Sequence, residues 1–200
     1  MLYEFDKKFR NKYKIIAGVD EAGRGPLAGP VVAAAVILPE DFNLNLINDS
    51  KKLSPPKREK AFFLIKKNAL ALSVTSIPNY VIDKINILNA TLLAMKKSIH
   101  KLKIHPDLVL IDGNKTPCSE YKEIAIEKGD SKSLSIASAS IVAKYIRDKI
   151  MDYYSKIYPE YEFSKHKGYP TKRHKYLIKK FGPTKIHRRS FKGVISREIW

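Results

Sequence analysis

The sequence predicts a mixed α/β domain, a sheet of five strands flanked by helices. Two nearly continuous apolar runs, Ile15–Asp20 and Val31–Leu38, enclose a glycine-rich turn, the pattern of a hairpin buried on both faces. A third apolar run, Leu70–Ile77, follows a helical stretch, and strand patterns at Leu108–Asp112 and Ile124–Glu127 then alternate with helices. A chain of 200 residues with 44% hydrophobic content can close one core of this kind.

The elements follow in order. Residues 1–14 read as a charged, weakly structured lead-in to the hairpin. After Pro39 a loop runs through Asn48-Asp49-Ser50-Lys51-Lys52-Leu53. Ser54 then suits an N-cap, Pro55 the first helical position and Glu59 the first turn, so a helix should reach about Asn68. Pro78 ends the third strand. A helical pair follows, one short through Ile85 and one longer from about Asn89 to Leu102, with an apolar stripe that includes Ile82, Leu88, Leu92 and Met95. Ser131 to Tyr158 reads as a long helix, small and apolar in its first half and charged in its second, stopped by Pro159. Thr171 caps a basic helix ending at Gly182-Pro183. No repeat or low-complexity linker divides the chain, so residues 1–200 read as one domain: a core of about 15–160 and a basic C-terminal part of about 161–200.

Charge narrows the partner. The formal net charge is +18, and no Asp or Glu occurs between Lys165 and Arg197. A polyanion is expected, and nucleic acid is preferred to a membrane because no amphipathic helix with a bulky apolar face accompanies the charge. No apolar run is long enough to cross a bilayer, and the N-terminus does not read as a signal peptide. Cys118 is the single cysteine, which excludes a disulfide framework and a cysteine-based zinc site. A cytoplasmic monomer is the default expectation.

The chemistry should sit at the hairpin tip. Asp20 and Glu21 put hard oxygen donors at one place, suited to Mg²⁺ or Mn²⁺, and the glycines after them let a phosphate or sugar approach the backbone. Neighbours in a regular strand point to opposite faces, so the two acids share a site only if the strand ends or bulges there. Asp112 and Asp130 also lie at a strand end or just before a helix. Each acid alone reads equally as a turn or helix-terminal charge. Together, converging at strand ends, four carboxylates would demand cations. Asp148 lies one turn after Lys144 and reads as an ion pair in preference to a peripheral acid. His166, His174 and His187 lack zinc spacing and read as phosphate contacts or surface groups.

Asp-Glu-Ala-Gly-Arg-Gly-Pro-Leu-Ala-Gly-Pro-Val-Val-Ala-Ala-Ala-Val, from Asp20, closely resembles the signature of the type 2 ribonucleases H, the bacterial ribonuclease HII group. Ile-Asp-Gly-Asn at Asp112 and Lys-Gly-Asp-Ser-Lys-Ser-Leu-Ser at Asp130 resemble the family's segments for its third and fourth acids. The resemblance runs from Val19 to about Val194. It implies a ribonuclease H-like fold and a metal-dependent endoribonuclease that cuts the RNA strand of RNA–DNA hybrids and 5′ of single ribonucleotides in duplex DNA. It implies two divalent ions, Mg²⁺ or Mn²⁺, on Asp20, Glu21, Asp112 and Asp130, with Asp20 bridging them, and 3′-hydroxyl and 5′-phosphate products. Gly23-Arg24-Gly25 and Tyr169 would then recognise the ribonucleotide, while Ser50, Lys51, Lys144 and Arg188 would contact phosphates. The chain stops at Trp200, without room for the longer helical tail of some members. The rival from another class is a basic nucleic-acid-binding module with structural acids, steep salt dependence and no turnover.

Overall fold

The computed structural model describes residues 2–42 and 53–194. Ser50 and Lys51 lie outside the described residues. Five strands form one sheet in the order β3-β2-β1-β4-β5. β1 (Ile16–Ala22), β2 (Val31–Ile37) and β3 (Ala71–Ile77) are successively antiparallel. β4 (Leu108–Asp112) adds parallel to β1, and β5 (Glu123–Ile126) adds parallel to β4. The mixed sheet is flanked by helices on both faces, as the sequence predicts.

The alternation along β2 explains the layers. Val31, Ala33, Ala35 and Ile37 pack towards α3 (Asn79–His100), while Ala34 and Val36 pack towards α2 (Pro55–Asn68) and α4 (Leu134–Ile157). Side chains alternate across a strand, so one apolar run serves two cores. Small residues let the helices come close. A Cβ on Gly18 of β1 would lie 2.0 Å from the Ser135 backbone carbon at the start of α4. α4 therefore rests directly on the centre of the sheet.

Helix ends largely follow their punctuation. Ser133 caps α4 by accepting from the Ile136 N–H at 3.2 Å, and Thr171 caps α6 (Lys172–Phe181) by accepting from His174 N–H at 3.1 Å. Ser54 has the extended backbone of a cap, but its side chain makes no capping bond. The predicted helical pair is present: within Asn79–His100 the helix breaks at Asn86, whose φ of 64° and ψ of 166° are not helical, into a short and a longer part. Between α4 and α6 the chain adds a 3-10 turn, Pro159–Tyr161, and a short helix, α5 (Phe163–His166).

Two readings are corrected. The lead-in is a helix, α1 (Leu2–Arg10), with Leu2, Phe5 and Phe9 directed into the core. It is fixed by buried Asp6, whose Oδ2 accepts from Ser135 N–H at 2.8 Å and from Ser135 Oγ at 2.7 Å. That partner is 129 residues away, so no local signal announces it.

The histidines are neither surface groups nor phosphate contacts. His174 and His187 are buried beside Tyr161 and Phe163, and His166 is half-buried, stacked on His174. His174 Nε2 lies 3.1 Å from His187 Nε2, and His166 Nε2 bonds the Tyr161 carbonyl at 2.8 Å. These rings join α5 and α6 to the segment after α6.

Burial first, and the neighbouring imidazoles second, push His174 down to about 4 and His187 down to about 3. The folded protein keeps both neutral, whereas the unfolded chain binds their protons below about pH 6.5. Their contribution is thus complete above about 6.5 and is lost as pH falls towards about 4, at about 1.4 kcal/mol per pH unit for each ring. Asp6, raised mainly by its burial, acts with the opposite sign and gains as pH falls. The diagnostic is a difference of slopes: between pH 7 and 5 the urea midpoint of His187→Asn should fall less steeply than that of wild type. Parallel slopes would show that His187 carries no such linkage.

Candidate active site

The register of the sheet brings the acids together. β1 and β4 pair in parallel as far as Val19 and Ile111, so Asp20 and Asp112 are the next residues on adjacent strands, at the same end. There β4 stops, while β1 runs on to Ala22 against β2 without a bulge. Beyond Val19 the β4 side of β1 is therefore an open edge. Asp20 leaves the face that carries Gly18 and looks towards α4, where Ser140 bonds its carboxylate. Glu21 leaves the opposite face, and both side chains reach one cleft over the open edge. The sequence condition that their own strand end or bulge there is corrected: β1 does neither, and it is β4 that ends early.

The cleft has a volume of about 300 Å³ and is lined by Asp20, Glu21, Gly23, Arg58, Asp112, Ser140, Lys144 and Tyr169. Asp130 stands behind this wall, buried in the 3-10 turn Gly129–Ser131 that precedes α4. Its backbone N–H donates to Asp112 Oδ1 at 3.3 Å, alongside the Gly129 N–H at 2.6 Å. Asp112 is thus oriented by the turn that carries Asp130. Asp20 Oδ1 likewise accepts its neighbour's N–H, that of Glu21, at 2.6 Å.

Electrostatics make the cleft a site for cations. Burial, then Glu21 and Asp112, drive the Asp20 carboxyl far above its ordinary range. Burial also raises Glu21, against Arg24, whose Nη1 lies 3.5 Å from Glu21 Oε1. Carboxylates held at such cost are relieved by a divalent ion. Among the described residues no group of three or more Asp, Glu, His or Cys side chains is placed to hold a metal ion by itself, so the fit rests on the chemistry of the oxygen donors. An open set of oxygen donors fits Mg²⁺ or Mn²⁺, which keep coordination positions for water and phosphate. The residues therefore fit the implied ions.

The glycine turn beside the acids is held from within. Arg147 of α4 is fully buried and donates from Nε, Nη1 and Nη2 to the carbonyls of Pro30, Lys167 and Ala28 at 3.0, 3.1 and 3.2 Å. Arg188 is also fully buried and donates to the carbonyls of Gly29, Arg24 and Gly23 at 3.0, 2.9 and 2.6 Å. Two planar forks thus hold five carbonyls of residues 23–30 and one next to Gly168. Gly23 permits this approach: its φ is 101°, and a Cβ there would meet Arg147 Nε at 2.1 Å. The same scaffold places Tyr169. Its ring would lie 3.9 Å from a Cβ on Gly25, with the Arg147 guanidinium 5.6 Å from the ring centroid.

The expected residues thus divide. Asp20, Glu21, Asp112, Gly23, Lys144 and Tyr169 share the cleft, with Gly25 against Tyr169 and Arg24 beside Glu21. Arg188 departs from the phosphate-contact reading: it is buried away from solvent, and its three hydrogen bonds are to the turn. Burial and nearby Arg147 lower it to about 9, so it stays charged at neutral pH. Asp148 pairs with Lys144 and with Arg58 Nη1, the latter at 3.3 Å, and it does not line the acid cleft. Arg147, Ser140 and Arg58 were missed. Arg147 had a signal, since it falls on the Ala143–Met151 stripe of α4 at four-residue spacing, among buried apolar residues.

Outer contacts hold Arg188 in turn. One turn apart on α3, Asn79 Nδ2 donates to the carbonyls of Lys185 and His187 at 3.0 Å, and Asp83 accepts from the N–H groups of Arg189 and Ser190 at 3.0 Å. Arg188→Lys replaces a fork by a point charge and leaves buried carbonyls unpaired. It should lower stability by about 3 kcal/mol and kcat/KM by about a hundred-fold. Asp83→Ala should cost roughly 1–2 kcal/mol, and chemical denaturation with steady-state kinetics checks both. Wild-type values for Arg188→Lys would remove it as the holder of the turn.

Comparison with known proteins agrees with the fold. The ribonuclease HII family model matches residues 17–194. A ribonuclease HII of Endomicrobium trichonymphae is 54% identical over 195 residues, covering 96% of this chain and 93% of that protein. The ribonuclease H2 crystal structure from Pyrococcus horikoshii OT3 superposes with a TM-score of 0.76 at 29% identity, covering 90% of this chain and 95% of that one. A Bst ribonuclease HIII solved with Mn²⁺ superposes at 0.70 and 18% identity over 90% of this chain and 68% of that one, a likeness of fold.

Proposed function

The chain belongs to the ribonuclease HII family, type 2 ribonucleases H that act as metal-dependent endonucleases on RNA–DNA hybrids, and we propose that its cleft cuts at single ribonucleotides as well. On this reading it hydrolyses the RNA strand of hybrids and cuts 5′ of a lone ribonucleotide in duplex DNA, leaving 3′-hydroxyl and 5′-phosphate ends. It acts as a monomer in the cytoplasm.

The observation that carries the reading is the Gly23–Pro30 turn beside the acids and Tyr169, pinned at Gly23, Arg24 and Gly29 by buried Arg188 and at Ala28 and Pro30 by buried Arg147. An enzyme that discriminates RNA from DNA must read the 2′-hydroxyl. The inward carbonyls are occupied by guanidinium groups, and glycine lets a sugar approach the outer side of the turn. Tyr169 offers a ring face for the adjoining sugar or base and a hydroxyl for a polar partner. Lys144 and Arg58, on the far wall of the cleft, suit the phosphates beside the scissile bond.

Asp20, Glu21 and Asp112 in the cleft, with Asp130 in the turn behind it, would hold two Mg²⁺ or Mn²⁺ ions. When bound, such ions supply an activated water for in-line attack and neutralise the leaving 3′-oxygen. The protein's own part is placement. The Gly129 and Asp130 N–H groups fix Asp112, the Glu21 N–H and Ser140 fix Asp20, and the turn fixes the ribose.

The test is cleavage of a DNA duplex carrying one ribonucleotide, with Mg²⁺ or Mn²⁺, by wild type and Asp112→Asn. The expected result is a single cut 5′ of the ribonucleotide, abolished by chelator and reduced about a thousand-fold or more in the variant. Cutting of long hybrids alone would remove the roles of the glycine turn and Tyr169. Tight, salt-sensitive binding with no cleavage under either metal would make the chain a binding module.

A further inference from the structure

Resting on that reading, we propose that the groove between α2, α4 and α5 carries the backbone of one substrate strand away from the scissile bond, with Lys149 and Lys165 as phosphate contacts. The groove has a volume of about 470 Å³ and opens directly from the acid cleft, with which it shares Arg58 and Lys144 as walls. A strand lying across the acids therefore meets this groove next.

Its walls have the chemistry of a phosphate track. Arg58, Lys144, Lys149, Lys165 and Lys167 line it against three acids, Glu59, Asp148 and Asp152. The outer cations rest on local carboxylates: Lys149 Nζ is 3.1 Å from Glu59, and Lys165 Nζ is 3.0 Å from Glu162. The Lys149 and Lys165 side chains are 55% and 75% exposed, so these pairs are weak and easily exchanged for a phosphodiester. The inner cations are fixed: Asp148, only 16% exposed, holds both Arg58 and Lys144. Fixed cations beside the chemistry and exchangeable ones further out suit a strand that is positioned at one end and merely retained at the other.

Length agrees with this. From Lys144 to Asp152 the α4 wall extends roughly 12 Å at 1.5 Å per residue. A duplex strand presents one phosphate per about 3.4 Å of axis, so the groove spans roughly three to four nucleotides. An array of that spacing draws affinity from counterion release, which single small anions do not supply.

The experiment measures kcat and KM for wild type, Lys149→Ala/Lys165→Ala and a control, Lys101→Ala/Lys103→Ala, which removes the same charge elsewhere. Substrates are ribonucleotide-containing duplexes, full length or cut back on one side to below the roughly four nucleotides that the groove spans. The groove variant should raise KM roughly three- to thirty-fold with kcat unchanged. Its salt slope should be shallower by about 2 in log–log terms. The KM difference should vanish when the flank on one side is removed and persist when the other is, which also gives the strand's polarity. KM and salt slope equal to wild type, or an equal change in the control, would overturn the proposal. Failure of wild type to cut any substrate would instead refute the reading it rests on.

Discussion

The site depends on two buried guanidinium groups that bond to backbone instead of to acids. Arg147 and Arg188 reach the Gly23–Pro30 turn from different elements and together donate to six carbonyls. Burying two like charges side by side is costly, and burial lowers both groups. Each fork instead satisfies several carbonyls at once, which a lysine cannot do from one point. The outcome is a turn whose inner side is fully engaged and whose outer side faces the cleft. The Lys167 carbonyl belongs to the same set, so the glycine turn and Tyr169 share one anchor.

This anchor draws together parts of the chain that are distant in sequence. Arg147 stands on the helix that rests on Gly18, and Arg188 lies on a segment tied to α3 through Asn79 and Asp83. The buried histidines join that segment to α5 and α6. The basic C-terminal part is therefore structurally continuous with the hairpin tip. Its Arg188 contributes to the site from below, through the geometry of the turn, while its exposed cations, some held in surface ion pairs, face solvent.

Charge is divided by position. A chain of net charge +18 keeps its candidate catalytic carboxylates where β1 outruns β4, with Asp20 and Glu21 raised by burial and by neighbouring carboxylates. Cations surround this point, with Arg24 against Glu21 on one side and Lys144 and Arg58 on the other. Such a distribution suits a polyanion at the rim and a divalent ion at the centre. Binding and chemistry thus rest on opposite local potentials a few residues apart.

Much of this was legible in the chain. Long apolar runs specify buried strands because period and composition are local, and Thr171 and Pro159 mark helix ends for the same reason. The acids were legible through a motif whose order identifies its family. What tertiary structure decided was orientation and burial. Asp20 and Glu21 leave opposite faces, and only the point at which β4 stops lets them share a cleft. Arg188 and the histidines read as surface cations in a basic stretch, yet partners brought from across the fold bury them. α1 is anchored where Asp6 meets Ser135, a contact that no local pattern encodes, beside the Leu2, Phe5 and Phe9 face. Sequence alone determined the family and which residue types are available for its chemistry, since residue type sets what an atom can do. Only packing decided which of them face the substrate and which hold the others in place, since that depends on what the fold removes from water.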